Sequence, residues 1–210
     1  MTCEDVYNHA LEIAAQTVLN ESSNLSLDQI ANLIGVSRQQ LDECLGDRQQ
    51  FSIRVSARIG ALIWRREAEI FGKIVESDKY KTLCGAAQIK ELLLSSFYYS
   101  FRGHPDFWRW LYRFEQFVVS EKIPPEAMED YQRQLERFYP IFLEAFNKGL
   151  GDGTVRPEII PSDYYSTVTM ALMNLCLKFC SAPIISSDVA ITGERQISML
   201  IDMAVHFLKR

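Results

Sequence analysis

The chain has 210 residues, with 48% apolar and 23% charged side chains and a formal net charge of −5 at pH 7. This length can bury a sizeable core in one or two domains. No apolar run reaches the roughly 18–20 residues that a membrane span requires, so no membrane partner is expected. The negative net charge gives the chain no general attraction for nucleic acid or anionic lipid.

Cysteine usage and the first residues indicate a cytoplasmic protein. The cysteines are five, an odd number without a Cys-x-x-Cys pair: Cys3, Cys44, Cys84, Cys176 and Cys180. This usage is typical of free thiols in a reducing compartment. The start, Met-Thr-Cys-Glu-Asp, lacks the basic residues of a signal peptide.

Residues 26–51 predict two short helices joined by a tight turn, followed by the start of a third. Each predicted helix start is an N-cap residue with Gln three positions later: Ser26 and Gln29, Ser37 and Gln40, Asp47 and Gln50. Gly35 can end the first short helix in the left-handed conformation, and Val36 can fill the angle between the helices. Apolar residues at helical spacing then face inward: Ile30, Ala31, Ile34, Leu41 and Leu45. This arrangement is a helix-turn-helix, which places its second helix in the DNA major groove.

The rest of the chain also predicts helices, separated by proline, glycine and polar residues. A first helix is expected from Thr2 to about Asn20, and later ones over 47–75, 83–101, 106–120, from Pro125 to about 150, over 162–182 and from 192 to the C-terminus. The polar stretch 77–82 is interpreted as a connector, and so is the glycine- and proline-rich stretch 149–161. Pro140 should kink or split its helix, and Pro183 should stop the helix before it.

These signals predict an all-α protein of about nine helices. We expect a helix-turn-helix DNA-binding domain over residues 1–46 and a larger helical ligand-binding and dimerisation domain over residues 47–210.

Residues 26–51 resemble the DNA-binding domain of the tetracycline-repressor (TetR) family of bacterial regulators. The matching residues lie in one ungapped stretch: Ser26, Ile30-Ala31, Gly35-Val36-Ser37, Leu41, Leu45, Gly46, Asp47-Arg48 and Phe51. A second resemblance covers Glu-Ala-Phe-Asn-Lys-Gly, Gly-Thr-Val-Arg-Pro and Pro-Ser-Asp within residues 144–163, which look like the loop before the two dimerisation helices of that family. The resemblance implies a homodimer that binds a palindromic operator and releases it when a small ligand changes the tilt of the long helix from Asp47.

The predicted contacts with double-stranded DNA come from the start of the second short helix and from the helix caps. Arg38, Gln39 and Gln40 can pair with base edges, whereas Ser26, Ser37 and Arg48 can contact phosphates. Residues 1–50 carry eight acidic and two basic side chains, a net charge of −6. Asp42, Glu43 and Cys44 stand where the family usually has its aromatic pair, and an Asp there repels phosphate. An alternative interpretation is therefore a ligand-binding or protein-interaction module that kept the fold and lost operator binding.

Aromatic residues are concentrated in the middle of the chain and predict a pocket for a small hydrophobic or aromatic effector. The candidate lining residues are Trp64, Phe71, Phe97, Tyr98, Phe101, Trp108, Tyr112 and Phe142. Arg109 or Arg113 could supply a polar anchor, although each is expected to be exposed. For any single one of these aromatic residues plain core packing is the favoured interpretation, and the pocket is predicted from the cluster as a whole.

The last two predicted helices carry more apolar residues than one buried face needs. A four-helix interface with a second copy is expected, formed by Leu172, Leu175, Phe179, Met199, Met203 and Phe207. Burial within the monomer is the alternative.

No grouping in the sequence predicts an enzyme, a metal site or a cofactor. The three histidines, His9, His104 and His206, form no Glu-x-x-His motif. Cys176 and Cys180 are four residues apart, and without further ligands they are interpreted as buried apolar residues. The sequence therefore predicts a ligand-responsive transcriptional regulator without catalytic activity.

Overall fold

The computed structural model of the protein describes residues 1–21, 26–120, 123, 125–181 and 192–209. Within these ranges the chain is helical between short turns and contains no strand. The α-helices, in chain order, are α1 (Cys3–Glu21), α2 (Leu27–Ile34), α3 (Arg38–Leu45), α4 (Arg48–Glu76), α5 (Asp78–Thr82), α6 (Gly85–Leu93), α7 (Ser100–Gly103), α8 (Pro105–Ser120), α9 (Glu129–Leu135), α10 (Phe138–Gly151), α11 (Pro161–Ser181) and α12 (Gly193–Leu208). A π-helical segment, Leu94–Tyr99, joins α6 to α7, and a 3-10 turn, Pro125–Met128, precedes α9.

The all-α prediction is confirmed, but the described residues form more helices than the nine predicted. The expected connector contains α5, because the Ser77 hydroxyl accepts a hydrogen bond from the Tyr80 amide and begins a helical turn. The helix expected over 83–101 is interrupted by the π-helical segment. The helix expected to contain Pro140 is split, so that this proline lies in the first turn of α10, where its missing N–H is tolerated. Pro183, the predicted stop, lies outside the described residues.

The chain folds as two compact units. Unit 1 comprises Met1–Arg66 and Glu121–Leu135, and unit 2 comprises Glu67–Ser120 and Glu136–Arg210. Helix α4 therefore contributes its first part to unit 1 and its last part to unit 2. The functional division at residue 46 remains a prediction.

Unit 1 is built on the helix-turn-helix. Its buried core contains four of the five inward residues predicted from spacing, together with residues of α1 and α4: Val6, Ala10, Ile30, Ala31, Leu41, Leu45 and Phe51. The fifth, Ile34, is half-buried against this core. Arg58 of α4 adds a polar link, donating to Glu12 of α1 at 2.9 Å and to Asp130 of α9 at 2.6 Å. Partners at such sequence distances have no local sequence signal, and none was predicted.

Unit 2 depends on a close contact between α6 and α10. A Cβ added to Gly85 would lie 2.0 Å from the backbone nitrogen of Gly149, so the two backbones touch without a side chain between them. The loop after α10 then caps α6: Asp152 accepts a hydrogen bond from the Gly85 amide at 2.8 Å, and Thr154 accepts one from the Ala86 amide at 3.1 Å. Hydrogen bonds from Thr154 and Gly85 hold the pKa of Asp152 below its ordinary value.

The expectation that all five cysteines are free thiols is wrong. Cys3 and Cys44 form a disulfide, with their Cα atoms 4.9 Å apart and 41 residues between them in sequence. The packing of α1 against α3 brings them together, which sequence spacing alone does not reveal. Cys84 is exposed, Cys176 is buried and Cys180 is half-buried, and all three are free.

None of the helices in the described ranges combines the length and apolarity that crossing a bilayer requires.

Candidate nucleic-acid interface

The candidate interface is the helix-turn-helix formed by α2 and α3. Ser26 caps α2 in a full capping box with Gln29, and Gly35 ends α2 in the left-handed conformation, with φ of 81°. Ser37 then caps α3, accepting a hydrogen bond from the Gln40 amide at 3.1 Å. Each of these interactions is local, which explains why the sequence predicts the motif.

The serine caps remain able to contact DNA. Ser26 and Ser37 are exposed, and each hydroxyl accepts the capping hydrogen bond, which leaves its own proton free to donate. A phosphate oxygen at the N-terminus of α3 would also gain from the helix dipole. The geometry therefore suits the phosphate contacts predicted for both serines.

Asp42 holds both arginines of the predicted interface. Its carboxylate pairs with Arg38 Nε at 2.9 Å and with the Arg48 guanidinium at 3.2 Å. Asp28 of α2 pairs with the other side of Arg38 at 3.1 Å. Hydrogen bonds to Asp42 and Asp28 raise the pKa of Arg38 above its ordinary value. Asp42 is thus neutralised by two cations and does not face solvent as an isolated negative charge.

The glutamines differ in their contacts. Gln39 donates to the Glu43 carboxylate at 3.0 Å along the same face of α3. Gln40 is exposed, and its backbone amide takes part in the Ser37 cap. Exposed ion pairs contribute only about 0.2–1 kcal/mol each. Phosphate or base contacts can therefore replace the ion pairs of Arg38 and Arg48.

The predicted effector-binding residues are divided between core clusters and the surface. Phe97 and Trp108 are buried with ring centroids 6.1 Å apart, and Phe71 contacts Phe138 at 5.3 Å. Phe142 is buried against Phe146, Tyr164 and Tyr165. The remaining predicted residues are buried Trp64 in unit 1, half-buried Tyr98 and Phe101, and exposed Tyr112 in unit 2. Arg109 and Arg113 are exposed, as expected.

Two buried polar atoms accompany this predicted site. Trp108 Nε1 and Ser100 Oγ have no hydrogen-bond partner among the described residues, although their residues are only 1% and 4% exposed. An unsatisfied buried donor costs about 1–3 kcal/mol, so a hydrogen-bond acceptor that reached either atom would recover part of that cost. Both residues follow the π-helical segment that contains Phe97 and Tyr98. Sequence reasoning missed Ser100, which no pattern distinguishes.

The predicted dimer residues also divide by exposure. Met199, Met203 and Phe207 of α12 are 53%, 61% and 58% exposed. Leu172 is fully buried in its own unit, while Leu175 and Phe179 are half-buried. Two further exposed apolar residues were not predicted, Ile160 directly before α11 and Met170 in the middle of α11.

A groove of about 640 Å³ lies between α11 and α12 at the same face. None of the predicted effector residues lines it. Its lining includes Arg156, Ile160, Tyr164, Val168, Leu200 and Phe207. The Arg156 guanidinium lies over the Phe207 ring at 4.6 Å and donates to the Phe207 carbonyl.

Among the described residues, no three His, Cys, Asp or Glu side chains come together as metal ligands. Burial raises the pKa of the Cys176 thiol, and burial likewise raises that of Cys180.

Comparisons with known proteins reveal similarity in structure alone. No protein-family model matches the chain. No curated protein matches its sequence. A protein from Saccharomonospora viridis described as a transcriptional regulator, solved in complex with choline, matches with a TM-score of 0.60 at 13% identity, over 99% of each chain.

Two further solved structures match at TM-scores of 0.52 and 14% identity. The ketosteroid transcriptional regulator of Mycobacterium tuberculosis aligns over 97% of this chain and 95% of its own. The TetR-family transcriptional regulator PfmR of Thermus thermophilus aligns over 98% of this chain and 99% of its own. These structural neighbours are described as transcriptional regulators. The chain therefore has the fold of the TetR-family transcriptional regulators, with a helix-turn-helix followed by a larger helical unit.

Proposed function

We propose that this protein is a ligand-responsive transcriptional regulator that acts in the cytoplasm and binds a palindromic operator as a homodimer. The observation that carries the proposal is the helix-turn-helix, in which Ser37, Gln39 and Gln40 are exposed at the N-terminal end of α3. This is the end of a recognition helix that meets base edges and phosphates.

Homodimerisation is supported by the exposed apolar residues of the C-terminal helices. Ile160, Met170, Met199, Met203 and Phe207 are each more than half exposed. Exposed apolar side chains concentrated along two packed helices, α11 and α12, are typical of an interaction site. A second copy is the proposed partner, because a two-fold operator requires two recognition helices at a fixed separation.

The effector site is proposed around Phe97, Tyr98, Phe101 and Trp108 in unit 2. The π-helical segment supports it, since such segments occur frequently at functional sites. The unpaired donors of Ser100 and Trp108 favour a largely apolar or aromatic ligand that carries a hydrogen-bond acceptor. Helix α4, of 29 residues, has residues in both units and is the proposed connection to the operator-binding unit. The ligand lowers operator affinity only if it binds one spacing of the recognition helices more tightly.

The rival function is a protein-interaction or ligand-binding module without operator binding. The contacts of Asp42 and Glu43 favour it, because these carboxylates occupy Arg38, Arg48 and Gln39 in the absence of DNA. Under this alternative, replacing Asp42 by Tyr and Glu43 by Lys would create DNA affinity where the natural chain has none.

Selection from a library of random duplexes at low salt tests the proposed function. We expect recovery of a short palindrome, with an affinity that falls as salt concentration rises. Recovery of no enriched sequence by the natural chain, together with binding by the Asp42→Tyr, Glu43→Lys variant, would establish the rival function.

A further inference from the structure

The disulfide links the recognition helix to the first helix of unit 1. Cys44 lies in the last turn of α3, and Cys3 is the first residue of α1. Cys3 is exposed, whereas Cys44 is half-buried against the core of unit 1, so the pair is open to solvent on its Cys3 side. Small oxidants and reductants can therefore reach the pair.

We propose that Cys3 and Cys44 are a reversible thiol–disulfide pair that fixes α3 to α1 when oxidised. The inference rests on the proposed function in one respect: a cytoplasmic regulator meets a reducing pool, in which a disulfide is transient and redox-sensing rather than permanent. The other cysteines suit this role less well. Cys176 is buried, and Cys84 and Cys180 are free thiols that take part in no disulfide.

The chemistry requires one two-electron oxidant, for which a peroxide suffices. The exposed Cys3 sulfur attacks hydrogen peroxide and becomes a sulfenic acid, with release of one water. The Cys44 sulfur then attacks the Cys3 sulfur, the S–S bond forms, and the sulfenic hydroxyl leaves with the Cys44 proton as a second water. Both thiols are oxidised by one electron each, and the peroxide is reduced to two waters. A dithiol returns the two electrons and restores the thiols by exchange.

The bridge acts on the element that reads DNA. Helix α3 has eight residues, too few for stability in isolation, and its buried anchors are Leu41 and Leu45. Cys44 lies in the last turn of α3, whereas Ser37, Gln39 and Gln40 lie at its beginning. The disulfide therefore fixes the position of α3 without covering the predicted DNA contacts. A preorganised helix binds its partner more tightly than one that must first be ordered.

Hydrogen exchange of the full-length protein tests the switch directly. After reduction and desalting, the protein is treated with hydrogen peroxide, and free thiols are counted by mass after alkylation. We expect five alkylated thiols before oxidation and three afterwards. Amides of α3 should exchange at least about tenfold more slowly in the oxidised form.

Two variants and one control identify the pair. Cys3→Ser changes an exposed residue and should fold. In this variant peroxide should neither form the disulfide nor slow the amide exchange of α3, and the same result is expected for Cys44→Ser. Cys84→Ser removes an exposed thiol of unit 2 and should keep the switch. Equal α3 exchange in the two forms, or a disulfide between two chains through Cys3, would overturn the inference.

Operator affinity separates this inference from the proposed function. The oxidised protein should bind the selected palindrome several-fold more tightly than the reduced protein, and Cys3→Ser should abolish the difference. If neither form binds any duplex while α3 exchange still responds to oxidation, the proposed function fails and the thiol–disulfide pair stands.

Discussion

Asp42 is the residue on which the two proposed functions diverge. Its carboxylate holds Arg38 and Arg48 together, so its removal frees Arg48 and leaves Arg38 paired with Asp28 alone beside the predicted DNA surface. We predict that Asp42→Asn raises affinity for a fixed fluorescent duplex about tenfold at low salt, equivalent to about 1.4 kcal/mol. The slope of the logarithm of the binding constant against the logarithm of salt concentration, measured by fluorescence anisotropy, should become more negative by about one to two per protomer. The reason is that the released arginine charge displaces more counterions from the DNA.

Glu43→Gln is the matched control for this change. It alters the net charge equally and on the same helix, but Glu43 contacts Gln39 and not an arginine. Its effect on affinity should be small, with an unchanged salt slope. Equal slopes for both variants would contradict the assignment of Asp42 as the residue that restrains the arginines.

Glu12 makes the stability of unit 1 depend on pH. Partial burial would raise the pKa of Glu12, but hydrogen bonds from Gln16 and Arg58 outweigh it and hold the pKa below its ordinary value of 4.5. The folded state therefore favours the carboxylate, and this stabilisation is complete above the ordinary pKa and lost as pH falls through the lowered one. We predict that Glu12→Gln lowers the free energy of unfolding by about 1 kcal/mol at pH 7, with a difference that disappears in acid.

Urea unfolding at several pH values measures this difference. Glu126→Gln serves as the control, because Glu126 is an exposed carboxylate of unit 1. If the free energies of unfolding of the natural chain and of Glu12→Gln still differed at pH values below the lowered pKa of Glu12, the carboxylate charge would not be the cause of the destabilisation.

At the scale of elements, the contact of α6 with α10 leaves no room for a methyl group. A Cβ on Gly85 would lie 2.0 Å from Gly149 N and 2.2 Å from Gly149 Cα, and backbone atoms cannot move aside as a flexible side chain can. We predict that Gly85→Ala destabilises the protein by about 3 kcal/mol through forced separation of the helices. Thermal and urea unfolding measure the loss.

Gly72→Ala is the control for Gly85→Ala. Gly72 lies within α4, and a Cβ there would meet nothing within 4 Å. Because alanine favours helix over glycine, this variant should gain about 0.5–1 kcal/mol. If both variants lost a similar amount of unfolding free energy, the destabilisation by Gly85→Ala could not be attributed to the close contact between α6 and α10.

The sequence predicts those elements whose stabilising contacts are local. The caps at Ser26 and Ser37 and the turn at Gly35 each depend on residues within four positions, so spacing alone identifies the helix-turn-helix. The contact of Gly85 with Gly149 and the cap that Asp152 gives to α6 join residues more than sixty positions apart. Such contacts form only when the helices pack against each other, so no local sequence pattern predicts them.

The features of the candidate site likewise divide into those that local sequence predicts and those that depend on packing between helices. Exposure of the α3 start and of Met199, Met203 and Phe207 follows from helical periodicity. The pairing of Arg38 with Asp28, which lies on a different helix, and the bond of Cys3 to Cys44 depend on how α1, α2 and α3 pack. Helical periodicity predicts both Leu172 and Met203 as dimer-interface residues, whereas packing within unit 2 buries Leu172 completely.

At the scale of the whole molecule, the apolar face of the C-terminal helices decides the oligomeric state. Met203 is 61% exposed at the centre of the α12 series formed by Met199, Met203 and Phe207. A charge at this position would have to lose its hydration in an interface with a second copy, which costs several kcal/mol without a partner. We predict that Met203→Glu converts a dimer into a monomer, measured by light scattering after size-exclusion chromatography.

Leu33→Glu is the control for Met203→Glu, since Leu33 is equally exposed, at 64%, but lies on α2 of unit 1. It should leave the dimer intact, and both variants should keep the helical circular dichroism of the natural chain. Operator affinity should fall with Met203→Glu, because one protomer presents a single recognition helix and loses the second half-site. If the Met203→Glu protein remained dimeric, the C-terminal helices would not form the dimer interface. If the natural chain were monomeric and still bound a palindrome tightly, operator binding would not require a dimer.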